Sequence, residues 1–97
     1  MSLEDIAEKL TVRLGGFNHT MKVDFDGDGF VFVDATQTPP LAALEDRDAE
    51  VTLVTSVETF EKILGGQQDP NIAFMMGKLK VQGSMGLALK LNGLLED

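Results

Sequence analysis

The sequence predicts an α+β fold. Three observations carry that prediction. Two short apolar runs, Met21–Phe25 and Phe30–Ala35, are joined by Asp26-Gly27-Asp28-Gly29, which is hairpin chemistry. Segments with helical spacing stand at both ends and in the middle of the chain, several behind a capping residue. Strands and helices do not follow the strict alternation of a parallel sheet. At 97 residues the chain is read as one domain, spanning 1–97, with one core.

The elements follow in order. Ser2 to Leu14 reads as a helix: Ser2 caps it, Glu4 and Asp5 suit its positive end, and Ile6, Leu10 and Leu14 recur beside Leu3 and Ala7. Gly15-Gly16 ends it. In the first strand Met21, Val23 and Phe25 share one face and Lys22 and Asp24 the other. The second strand, FVFVDA, is apolar on both faces, so something covers each side. Thr38-Pro39-Pro40 breaks the pattern, and Leu41 to Asp48 reads as a loop or short turn, with Ala42-Ala43-Leu44 allowing one helical turn. Glu50 to Thr55 is a third strand. Thr55-Ser56-Val57-Glu58 offers a capping box for a helix through Leu64, with Phe60, Ile63 and Leu64 inward. Gly65-Gly66 stops it. Asp69-Pro70 opens a short helix that Gly77 ends. Leu79 to Gly83 alternates as a fourth strand. Ser84 caps a last helix, Met85 to Leu95, with Leu87, Leu91, Leu94 and Leu95 on one stripe.

Charge narrows the partners. The net charge is −8, from sixteen acids and eight bases, and there is no basic stripe, so nucleic acid is excluded as a partner. Anionic lipid surfaces are repelled overall. Lys78, Lys80 and Lys90 nevertheless fall in the C-terminal third, which makes that third neutral or slightly positive. With no cysteine there is no disulfide, thiolate nucleophile or zinc–thiolate site, and a reducing cytoplasm is the simplest home. No apolar run reaches the roughly 18–20 residues of a membrane span. The amphipathic, acidic start is not a secretory signal, and Leu-Leu-Glu-Asp at the end is not a peroxisomal address.

Catalytic candidates are weak. Asp24-Phe25-Asp26-Gly27-Asp28-Gly29 matches the first half of a calcium loop, but its twelfth position is Ala35 and its flanks are strands, so it reads as a solvated turn. His19 is the only histidine, and Ser2, Ser56 and Ser84 all sit at helix caps, so no nucleophile–base pair is evident. No metal site and no cofactor are implied. Gly77, Gly83 and Gly86 lack the spacing of a phosphate-binding loop. Gly86 stands in the first turn of a helix, which is costly, and it permits close approach of a backbone or ligand.

The last third is the informative part. Three of the five methionines, Met75, Met76 and Met85, fall in eleven positions of an apolar stretch poor in catalytic side chains. Methionine is unbranched and polarizable, and suits a wall that repacks around different apolar shapes. An ordinary core with soft gap-fillers accounts for the same composition.

The run Gly77-Lys78-Leu79-Lys80-Val81-Gln82-Gly83-Ser84-Met85-Gly86-Leu87-Ala88-Leu89-Lys90-Leu91 resembles the hallmark of the sterol carrier protein type 2 family, the non-specific lipid-transfer proteins. The likeness extends upstream through the N-terminal helix, the hairpin, AEVTLVTSVETFEKILGG and QQDPNIAFMMGKLKVQG, covering nearly the whole chain. It implies a five-stranded, largely antiparallel sheet covered by helices, with an apolar tunnel between them. The fifth strand would come from splitting a strand or from residues near Gln37. It implies non-covalent carriage of a fatty acyl chain, an acyl-CoA ester, a sterol-like or an isoprenoid lipid, by a chain that is not an enzyme. The expected lipid-site residues are Phe30, Phe32, Phe60, Leu64, Phe74, Met75, Met76, Leu79, Val81, Met85, Leu87, Leu89 and Leu91. A monomer or weak homodimer with at most transient membrane contact fits the acidity. The alternative keeps the fold and makes the apolar C-terminal helix a surface for a partner protein or a second copy.

Overall fold

The computed structural model describes Ser2 to Glu96. In chain order the elements are α1 (Leu3–Arg13), β1 (Thr20–Asp24), β2 (Phe30–Asp34), β3 (Leu41–Ala43), β4 (Val51–Thr55), α2 (Val57–Leu64), α3 (Pro70–Met75), β5 (Leu79–Gly83) and α4 (Met85–Leu95). The strands form one mixed sheet in the order β3-β2-β1-β4-β5. Neighbours are antiparallel except the central pair β1 and β4, which is parallel.

Local chemistry explains most of these elements. Ser2 and Asp5 form a reciprocal capping box at α1. Asp69 Oδ1 accepts from the amides of Asn71 and Ile72, with Pro70 at the first position of α3. Ser84 Oγ accepts from the Leu87 amide to start α4. The hairpin turns at Asp26 and Gly27, both with positive φ, and the Asp28 amide donates to the Phe25 carbonyl, the primed-turn geometry that suits strand twist. Asp24 accepts from the Asp26 amide, and no carboxylate cluster fit for a metal ion forms among the described residues.

Two expectations are corrected. The fifth strand is Leu41–Ala43, inside the segment read as a loop or helical turn, not near Gln37 and not a split strand. Its three residues are too few to show alternation. It exists because Val33 and Phe32 of β2 offer it a ladder, opposite Ala42 and Ala43. The cap of α2 is Ser56, not Thr55: Ser56 Oγ accepts from the Thr59 amide, while Thr55 stays in β4 and donates its hydroxyl to the Lys78 carbonyl.

The register separates the sheet's faces. Met21, Val23, Val31, Val33, Val51 and Leu53 lie on one face, covered by helices, and are fully buried. Ile6, Leu10, Leu14, Phe60, Ile63, Leu64, Leu91 and Leu95 close the core above them. The ring of Phe60 meets Phe25 edge-on at 5.7 Å. The other face carries Lys22, Phe30, Phe32 and Thr52, and the β3–β4 connection covers part of it. Asp46 pairs with Lys22 at 2.7 Å and the Arg47 guanidinium lies 5.6 Å from the Phe32 ring centre. So β2 is covered on both sides, as its composition requires.

Arg13 ties three helices together. At the end of α1 it donates to the Leu95 carbonyl of α4 and the Leu64 carbonyl of α2, both at 2.6 Å. A cation is thereby placed on two negative helix C-termini.

Candidate functional site

The residues expected at the lipid site do not share one environment. Phe60, Leu64, Leu79 and Leu91 are buried in the core between sheet and helices. Val81 and Leu87 are half-buried against its edge. Phe30 and Phe32 pair with Asp24 and Lys22, so they lie on the opposite face of the sheet, away from the helices. Phe74, Met75, Met76, Met85 and Leu89 are exposed. Met75 is 77% accessible, Leu89 66%, Met76 60% and Met85 51%, which is far too open for core residues.

These exposed side chains belong to α3 and α4, and one contact relates them. Asn92 Nδ2 donates to Asn71 Oδ1 at 3.0 Å, joining the two helices. Leu89 and Met85 lie three and seven residues before Asn92, on its flank of α4. Phe74 and Met75 lie three and four residues after Asn71, on its flank of α3. The two apolar stripes therefore converge on the asparagine pair. Asn92 itself is buried, and its Oδ1 has no hydrogen-bond partner. A polar residue in a leucine-rich helix was a visible signal, but nothing in the sequence points to Asn71 as its partner.

The backbone beneath the stripes is fixed at one glycine. Gly83 ends β5 with φ of 91°, and a Cβ there would stand 2.5 Å from the Glu50 carbonyl oxygen. Gly86 differs: a Cβ would meet only Ser84 Oγ at 3.9 Å, so no close approach explains it.

Charge is organised about the same elements. From Pro70 to Leu95 there are three lysines and no acid, +3, which leaves −11 for the remainder of a chain whose total is −8. Lys78 lies three residues past the end of α3, and the Lys90 ammonium stands 3.5 Å from the Phe17 carbonyl oxygen and 5.9 Å from the Phe17 ring centre. Hollows of the surface lie elsewhere. One of about 500 Å³ runs along Asp5, Glu8, Lys9, Val12 and Arg13, and one of about 220 Å³ is lined by Asp26, Val54, Thr55, Ser56, Gly77, Lys78 and Lys80. Neither lies between the sheet and the helices.

His19 has a structural position. Its Nδ1 meets the Glu50 carboxylate at 3.2 Å, Glu50 also accepts from the Thr20 amide, and the Glu50 amide donates to Thr20 Oγ1. These bonds join the starts of the parallel strands β1 and β4. The Thr20 amide first, and His19 second, hold the Glu50 carboxyl below its usual range.

With sheet, helices and apolar stripes placed, the comparison with known proteins is decisive. The profile of the SCP-2 sterol transfer family matches residues 2–96. The chain belongs to that family. Sterol carrier protein 2 of Bos taurus is 32% identical over 95 residues, 95% of this chain and 18% of that protein. Hydroxysteroid dehydrogenase-like protein 2 of Bos taurus is 45% identical over 49 residues, 50% of this chain and 12% of that protein. The chain thus spans less than a fifth of the length of either relative. The solution structure of palmitated SCP2L2 from Aedes aegypti superposes with a TM-score of 0.74 at 22% identity, covering 100% of this chain and 96% of that one. The SCP-2 fold is a lipid-binding fold and is not itself an enzyme, although some relatives carry it within larger enzymes. No helix among the described residues is long and apolar enough to cross a membrane.

Proposed function

We propose that this SCP-2 domain binds and carries one apolar small molecule without covalent chemistry, taking it between the sheet and the α3–α4 pair. The molecule is a fatty acyl chain, an acyl-CoA ester, a sterol-like or an isoprenoid lipid. The observation that carries this reading is the set of exposed, adaptable apolar side chains on α3 and α4, the two helices that pack on β5, where Leu79 is buried. Methionines placed so can turn inward to line a cavity when a lipid enters. Leu79, Val81 and Leu91 are its proposed floor, and Phe74, Met75, Met76, Met85, Leu87 and Leu89 its proposed wall. Phe60 and Leu64 close its far end.

Energetics agree with a packed state in the absence of lipid. An empty cavity of about 300 Å³ would cost on the order of 7 kcal/mol at roughly 24 cal/mol per Å³. That is comparable with a typical total stability of about 5–15 kcal/mol. A chain of about twelve methylenes returns about 10 kcal/mol on burial. Association costs of about 4–15 kcal/mol remove much of that, leaving affinities near micromolar and low selectivity.

Native mass spectrometry of freshly purified protein, followed by lipid extraction, tests the proposal. Adduct masses of acyl chains, isoprenoids or sterols are expected. Met76→Trp, which fills space at an exposed position, should weaken uptake of a fluorescent fatty acid while leaving thermal unfolding unchanged. A clean mass with no uptake of that probe would overturn the carrier reading.

A further inference from the structure

We infer that Asn92 determines the specificity of the proposed carriage site, its Oδ1 accepting a hydrogen bond from the hydroxyl of an uncharged lipid alcohol. The inference rests on the carriage reading above and narrows its cargo. Asn92 is 5% exposed, and its Oδ1 is closed to solvent with no hydrogen-bond partner, the one such side-chain atom among the described residues. Buried polar atoms are nearly always paired, because an unpaired one keeps the full cost of leaving water. An acceptor left so in a leucine-rich helix is poised for a donor that the chain itself does not supply.

The tie between the helices does not account for this atom. Asn92 Nδ2 donates to Asn71 Oδ1 at 3.0 Å, and that single bond joins α4 to α3. It uses one prong of a planar carboxamide and holds the other still. The setting is apolar: Ala88, Leu91 and Leu95 are the other buried residues of α4, and Pro70 and Ala73 are those of α3. Both helices pack on β5, so Asn92 stands among the elements that bound the proposed site. A fixed acceptor in such a setting discriminates strongly, since a ligand without a donor leaves it unpaired.

The chemistry of the atom selects the ligand. A carbonyl oxygen accepts and cannot donate, so the ligand must bring the hydrogen. An ionised carboxylate brings none and sets negative charge against an oxygen. An ester, an ether or a hydrocarbon brings none either. An ammonium group donates, but its charge is costly to bury among leucines. A hydroxyl is the smallest neutral donor, and on an apolar body it lets the body be buried while the head satisfies Oδ1.

The test is displacement of a bound fluorescent fatty acid from the full chain by dodecanol and by dodecyl methyl ether, in the parent and in Asn92→Leu. The ether has one more methyl group and no donor, so burial alone favours it. In the parent, the alcohol should displace the probe at about tenfold lower concentration than the ether. In Asn92→Leu that preference should vanish. Nuclear magnetic resonance of the nitrogen-15-labelled parent reads the contact directly: the Asn92 side-chain amide signals should move further with the alcohol than with the ether. Equal displacement by the two in the parent, which a left-over donor in place of the acceptor would give, would overturn the inference and leave carriage standing. So would a preference for the alcohol that survives Asn92→Leu, or Asn92 signals that respond alike to both. A parent that binds none of the three molecules would overturn carriage and the inference with it.

Discussion

Replacing Gly86 and Gly93 by alanine together should stabilise the protein and slow lipid entry. Both residues lie inside α4 with negative φ. A Cβ at position 86 would meet one atom, Ser84 Oγ, at an ordinary 3.9 Å, and at position 93 nothing within 4 Å. No contact therefore opposes a methyl group, and the effect reduces to backbone entropy and helix propensity. Glycine costs roughly 0.5–1 kcal/mol relative to alanine inside a helix. Both sites are in end turns, so the lower figure applies and the pair should contribute about 1 kcal/mol. For a domain of this size that raises the melting temperature by roughly 4–8 °C. If lipid enters by unwinding of α4, the same energy lowers the open population about fivefold. Thermal unfolding by circular dichroism and stopped-flow uptake of a fluorescent fatty acid read the two effects. An unchanged or lowered melting temperature would refute the view that these glycines are conformational liabilities. A raised melting temperature with unchanged uptake would refute α4 as the moving element.

Other perturbations have definite outcomes. Arg13→Ala should lower stability by about 2 kcal/mol, as expected for charge-assisted hydrogen bonds to two helix ends, with Arg13→Lys recovering less than half; a urea titration showing a loss under about 0.5 kcal/mol would contradict the tie. Asn92→Leu should raise stability by about 1 kcal/mol, because it removes a buried acceptor without a partner while exposed Asn71 turns to water; a clear loss would mean that Oδ1 is satisfied in solution. Glu50 and Asp34 are held below the usual carboxylate range, by the Thr20 amide first for Glu50 and the Thr36 hydroxyl first for Asp34. Their contribution is present above the usual range near pH 4 and is lost as pH falls through the lowered native values. Acid titration of stability should steepen there, and Glu50→Gln with Asp34→Asn should flatten it; an identical slope would remove both from the account.

Much of the fold was legible because its determinants are local. Ser2, Asp69 and Ser84 cap helices where their side chains reach the next turn. Asp26-Gly27 turns the hairpin because both residues tolerate positive φ. Features with distant partners were not legible. The three residues of β3 pair only because β2 presents an edge, and the parallel pairing of β1 with β4 joins segments some thirty residues apart. The last helix misleads for another reason. Apolar residues nearly surround α4, so the stripe of Leu87, Leu91, Leu94 and Leu95 did not single out the buried side. The structure buries Ala88, Leu91, Asn92 and Leu95, and leaves Leu87 and Leu94 only partly covered. Met75, Met76 and Met85 were legible as a set but not as exposed side chains, since composition does not distinguish a wall turned inward from one turned out.

The ties between helices differ in strength, and that difference bears on how such a domain opens. Arg13 clamps the C-terminal end of α4 to α1 and α2, and Asn92, one turn earlier, holds α3. The N-terminal half of α4 is held more loosely: the Ser84 amide donates to the Glu50 carbonyl at 3.2 Å and Lys90 reaches the Phe17 carbonyl at a long 3.5 Å, while Met85 and Leu89 face outward and Gly86 loosens the first turn. The helix α3 has six residues, too few to be stable without packing, and buries only Pro70 and Ala73. Opening about the clamped end would therefore cost little. It would lift the Met85 end of α4 away from Leu79 and Val81 and leave the α1–α2 side of the core intact. Entry of lipid would then draw on a single weakly held corner of the fold.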